Sequence, residues 1–94
     1  MNLETFENKV TRIYEALPSN IQSKFQIVIE EEQPEGQKEI LFGKYWGAVP
    51  NSITLCYWGF KMANDFRLDH IERVIKHEFE HLLLGNCGGK HSEH

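Results

Sequence analysis

The sequence predicts an α+β domain. Three observations carry this: an apolar stripe at helical spacing near the N-terminus, alternating and β-branched segments in the middle, and a second long amphipathic segment near the C-terminus. Leu3, Phe6, Val10, Ile13, Tyr14 and Leu17 recur at steps of three and four residues, which lays one apolar face along a helix over about 3–17. Pro18 ends it, because proline has no N–H to continue the ladder. Residues 19–24 read as a short or partial helical turn that carries Ile21 inward.

Phe25, Ile27 and Ile29 then alternate with Gln26, Val28 and Glu30, the period of a strand with one buried face. Gln33-Pro34-Glu35-Gly36 is turn chemistry, and a second extended segment opens at Ile40-Leu41-Phe42 and reaches Gly47. After a turn at Pro50-Asn51-Ser52, the β-branched and aromatic run Ile53 to Trp58 reads as a third strand, followed by an irregular stretch from Gly59 to Asp65. The last helix starts near Asp65 or Asp69, the latter with Glu72 at the capping-box distance, and runs to Leu84 with Gly85 as its stop.

Ninety-four residues, 40% hydrophobic and 26% charged, suit a single domain spanning 1–94, with a small core and no internal repeat. A formal net charge of −4 disfavours nucleic acid, whose phosphates select a basic face. Glu30, Glu31 and Glu32, with Glu35 and Glu39 beyond, read as a solvated strand end and turn. No stretch is apolar for long enough to span a bilayer, and Met1-Asn2-Leu3-Glu4 has neither the basic start nor the apolar run of a secretory signal, so a cytoplasmic location without a membrane is expected. There Cys56 and Cys87 are expected as thiols, which leaves Cys87 available to a metal.

The chemistry concentrates in His77-Glu78-Phe79-Glu80-His81, an HExxH pattern inside the second helix. Residues four apart stand roughly 5–6 Å from each other on one helical face, so both imidazoles can converge on one tetrahedral ion. Glu78 points to a different azimuth, where it reaches a metal-activated water as general base. On the helical wheel Leu68, Ile71, Ile75, Phe79 and Leu82 form the apolar face, His77 and His81 lie along one border, and Asp69, Arg73, Lys76 and Glu80 face water. Glu78 falls inside the apolar face, where an uncompensated carboxylate costs several kcal/mol. An ordinary amphipathic core helix explains neither the histidine spacing nor that acid.

A third ligand must come from elsewhere. His70 shares the azimuth of His77 but lies seven residues, about 10.5 Å, along the axis, and reads as a surface or border histidine. Cys87, six residues after His81, stands at the offset of the third ligand in HExxHxxGxxH enzymes, while Gly88-Gly89 frees the backbone at His91 to fold over the site. Both are candidates, against a plain frayed terminus from His91 to His94.

In order along the chain, Leu17-Pro18, the strand Gln26-Ile27-Val28-Ile29-Glu30-Glu31, Gly43-Lys44-Tyr45-Trp46-Gly47-Ala48-Val49-Pro50, the strand Ile53-Thr54-Leu55-Cys56-Tyr57 and Val74-Ile75-Lys76-His77-Glu78 resemble the small bacterial zincin-like metallopeptidases, the minimal zincins. The resemblance extends from about Phe6 to Gly85; its HExxH is specific, and the other segments are weak singly. It implies a compact zincin with a three- or four-stranded sheet beside the metal-bearing helix, Zn2+ as cofactor and peptidase activity. Family members usually place glycine three and aspartate six residues after the second histidine, whereas this chain has Gly85 at the fourth place and Cys87 at the sixth. The family's third ligand is therefore not transferable, and a thiolate there would donate more charge to zinc.

On this basis His77 and His81, with Cys87 or His91, hold zinc, and Glu78 takes the proton from water. A peptide substrate would add as a strand to the sheet edge, for which Ile53 to Tyr57 is the candidate, with Thr54, Leu55 and Tyr57 as contacts. Tyr45, Tyr57 and Arg67 are candidates to stabilise an oxyanion. Two rivals have other chemistry. One is a non-catalytic zinc module closed by both Cys87 and His91; the other is a metal-dependent endoribonuclease, disfavoured by the acidic balance and by glutamate rather than glycine after the first histidine.

Overall fold

The structure is a computed structural model that describes residues 1–45 and 51–83 and the backbone of 84 and 90–91. Along the chain run α1 (Leu3–Glu15), α2 (Ser19–Gln22), β1 (Gln26–Glu30), β2 (Gly43–Lys44), β3 (Ser52–Cys56), α3 (Tyr57–Ala63), α4 (Leu68–Leu84) and β4 (Lys90–His91), an α+β fold. Asn2 caps α1 by accepting from the Thr5 N–H at 2.9 Å. The short α2 is fastened to α1 by Tyr14, whose hydroxyl lies 2.5 Å from the Gln22 carbonyl and 2.6 Å from that of Phe25.

The sheet is mixed. β1 and β3 pair in parallel from Gln26↔Ser52 to Glu30↔Cys56, and β2 pairs antiparallel with β3 through Gly43↔Leu55 and Lys44↔Thr54. The two-residue β4 extends these three strands antiparallel to β2, giving the order β1-β3-β2-β4. β3 is therefore central. That corrects the expectation that Ile53 to Tyr57 offers a sheet edge, because the backbone of Thr54 and Leu55 is already paired on both sides.

One face of the sheet carries Ile53 and Leu55, fully buried, with Ile27 and Ile29 beside them; α1 contributes Phe6 and Val10 to this core, and α4 contributes Ile71, Val74 and Ile75. Leu68, expected on the apolar face of α4, is about half exposed, and Val74 occupies that face instead. On the opposite face a small polar cluster replaces the solvated strand end expected at Glu30. Its carboxylate accepts from Lys44 Nζ at 2.9 and 3.1 Å and from Trp58 Nε1 at 2.8 Å, with Cys56 Sγ at 3.9 Å. Burial alone would raise this carboxyl, but the hydrogen bonds from Lys44 and Trp58 and the lysine charge hold it below 4.5.

The third strand ends at Cys56, and the stretch from Tyr57 to Ala63, expected as strand and irregular chain, is helical. Tyr57 and Phe60, three apart, bury one side of α3, and Asn64 closes it in the left-handed conformation at φ 52°. Gly59 permits the packing: a Cβ there would lie 1.7 Å from the Leu41 carbonyl oxygen. No helix among the described residues is long and apolar enough to cross a membrane.

Candidate metal centre

α4 presents its residues to the sheet in an order set by helical geometry, roughly 100° per residue. Phe79 meets Phe25, just ahead of β1, with ring centroids 4.7 Å apart. Ile71 and Ile75 join the core that Ile53 and Leu55 of β3 share, and Val74 and Glu78 lie against Gly43 of β2. The contact with β2 is tight. A Cβ on Gly43 would stand 2.9 Å from Glu78 Cγ and 3.2 Å from its Oε2, so only glycine lets this strand lie flat on the acid. Glu78 is 0% exposed, and burial pushes its carboxyl up to about 7.

His77 and His81 are half-buried on the border of the same helix, their rings edge to face with centroids 4.8 Å apart. Their Nε2 atoms stand 3.2 Å from each other. Two nitrogen ligands about 2.0–2.1 Å from a tetrahedral ion are separated by about 3.3–3.4 Å, so the pair is already spaced to grip one ion. Without a metal the same spacing suits a single N–H···N hydrogen bond between neutral imidazoles.

The remaining candidates fare differently. Cys87 lies outside the described residues. His91 lies on β4, its backbone opposite Gly43. Among the described residues, no three His, Cys, Asp or Glu side chains gather into a potential metal site. His70 is not a surface histidine: it is 5% exposed, packed on Phe42 and Phe60, with Nδ1 3.1 Å from Asp65 Oδ2. Leu55 is buried in the core, Thr54 is half-buried in the central strand, and Tyr57 donates its hydroxyl to the Met1 carbonyl at 2.8 Å, so the peptide-contact assignment for these three loses its basis. Tyr45 packs on the core, while Arg67 is held by Asp65 at 2.9 and 3.0 Å, roughly 15 Å along the helix from His77. Gly43 is the site residue whose role the sequence did not reveal, although a lone glycine inside an extended segment signals close backbone approach.

Together these features define an α+β protein whose C-terminal helix sets two spaced imidazoles beside a carboxylate sealed under a glycine strand. No protein-family model, curated protein or solved structure matches the chain.

Proposed function

We propose that this protein is a zinc-dependent metallopeptidase of the zincin kind, acting on peptide bonds. One observation carries the proposal: the helix that brings two imidazole Nε2 atoms to 3.2 Å from each other carries, at the position after the first histidine, a fully buried carboxylate. A structural zinc site needs the imidazoles but not the acid. His77 and His81 are two of the ligands, and the third comes from the residues after α4.

When bound, the ion supplies a Lewis acid that polarises the scissile carbonyl and makes water easier to deprotonate. Glu78 accepts the proton of the attacking water and hands it to the departing amide nitrogen. Its carboxyl, raised to about 7 before any cation is felt, suits a base that must release its proton again near neutrality. Gly43 keeps β2 pressed on that carboxylate, which fixes its rotamer and excludes bulk water from one side. The cytoplasmic location expected from the sequence belongs to the same proposal.

The test is hydrolysis of a quenched fluorescent peptide library by the purified full chain, with zinc counted by elemental analysis. Glu78→Ala should keep its zinc and lose activity by about 100- to 10,000-fold. Undiminished turnover in that variant rejects the assignment.

A further inference from the structure

Among the described residues β1 ends the sheet: it pairs only with β3, in a register from Gln26↔Ser52 to Glu30↔Cys56 that runs without a bulge. The Gln26 N–H bonds to the Asn51 carbonyl at 2.8 Å, which turns Gln26 toward β3. Alternate residues of a strand address the same neighbour, so Val28 and Glu30 do likewise, whereas Ile27 and Ile29 turn their N–H and C=O groups outward. Phe25, in step with Ile27, agrees: its carbonyl accepts from the Tyr14 hydroxyl of α1 at 2.6 Å.

Proteins blunt such an edge with proline, lysine, a bulge or a covering element. Gln26-Ile27-Val28-Ile29-Glu30 has neither proline nor lysine, and Val28 is 46% exposed. Beside it lies a groove of about 480 Å³, lined by Ile27 and Ile29 and, from α1, by Glu7, Thr11, Tyr14 and Glu15. Glu7, Thr11 and Glu15 recur every fourth residue along one flank of α1, and no basic side chain lines the groove. A second copy paired antiparallel through β1 would set two of these acidic flanks against each other, which disfavours self-association. A basic occupant fits.

We propose that β1 is a docking edge for a partner protein, which adds an extended antiparallel segment carrying two basic residues on either side of an apolar one. The two basic residues stand opposite Ile27 and Ile29 and exchange main-chain hydrogen bonds with both. Residues directly opposite share a face of the sheet, so their side chains enter the groove beside Glu7 and Glu15. The apolar residue between them falls on the other face, next to the exposed Val28. β1 lies two strands, roughly 10 Å, from β2 and the acid beneath it, so this edge is separate from the proposed zinc site and stands without it.

Fluorescence anisotropy of a labelled peptide of alternating arginine and valine, titrated with the full chain, tests the assignment. The peptide should bind about tenfold tighter than an isomer whose arginines are contiguous. Glu7→Gln with Glu15→Gln should weaken binding about tenfold, whereas Glu35→Gln with Glu39→Gln, which removes as much charge away from the groove, should leave it unchanged. All four side chains are exposed, so both variants keep the fold. Peptide at about 100 times its Kd should slow amide exchange at Ile27 and Ile29 about 100-fold. Equal binding of the two isomers, or equal weakening in the two variants, reduces the attraction to net charge and overturns the docking edge. Dimerisation of the chain alone, with the same two amides protected, gives the edge to a second copy and overturns the basic partner.

Discussion

Glu78 is the residue on which sequence and structure agree most informatively. A carboxylate on the apolar face of an amphipathic helix is a conflict visible in the sequence, and the fold resolves it by burying the group completely instead of turning it to water. The consequence for stability has a definite sign. Since the carboxyl titrates near 7 in the fold and near 4.5 when unfolded, the metal-free fold keeps a proton that the unfolded chain releases. Metal-free stability should therefore fall as pH rises from about 4.5 to about 7 and level off above, a loss of about 3 kcal/mol. Glu78→Gln should remove that loss, so its urea midpoint without metal should exceed the parent's at pH 8 and match it at pH 4. Gly43→Ala tests the opposite side of the contact. A methyl 2.9 Å from Glu78 Cγ must displace the acid or the strand, at about 1–3 kcal/mol in urea unfolding, and should depress kcat beyond what that loss explains while zinc content holds.

At the scale of elements, α1 and α4 were legible because long amphipathic periods leave little ambiguity. α3 was not. Its aromatic run Tyr57-Trp58-Gly59-Phe60 has the composition of a strand, and tertiary packing against Leu41 overrides that propensity; Asn64 as a left-handed cap and the Tyr57/Phe60 spacing were the signals available. β2 is short, with two ladder pairs to β3, yet it bears directly on the candidate base. The Lys44–Glu30 pair reinforces it from behind, spanning β2 to β1 across β3. Because the folded Glu30 carboxyl lies below 4.5, its contribution is present above that pH and is lost as pH falls through the lowered value. Glu30→Gln should accordingly cost about 1–2 kcal/mol at pH 7, discounted for the partial exposure of the carboxylate, and progressively less at pH 3. Guanidinium unfolding at the two pH values measures the difference.

For the molecule as a whole, the fold class and the two imidazoles could be read from the sequence, since each rests on local spacing. Strand order could not, because it depends on which segments meet across long loops. The edge assigned to Thr54, Leu55 and Tyr57 failed for that reason: a β-rich, strongly apolar run is as consistent with a central strand as with a border one. The choice between Cys87 and His91 as a further ligand stays open in the sequence, since spacing argues for the one and the backbone freedom of Gly88-Gly89 for the other.

The parallel pairing of β1 with β3 also governs how the chain acquires its shape. Each partner is 26 positions from its mate, so the two strands align only after a long segment has closed on itself, an entropic toll that the local helices never face. The slow step of refolding should be this closure, with α1 and α4 already formed. Gly36, at φ 85° with nothing within 4 Å of a Cβ placed there, is a point where extra length disturbs no packing. Doubling the loop there with a glycine-serine insert should slow stopped-flow refolding about threefold and leave the unfolding rate almost unchanged.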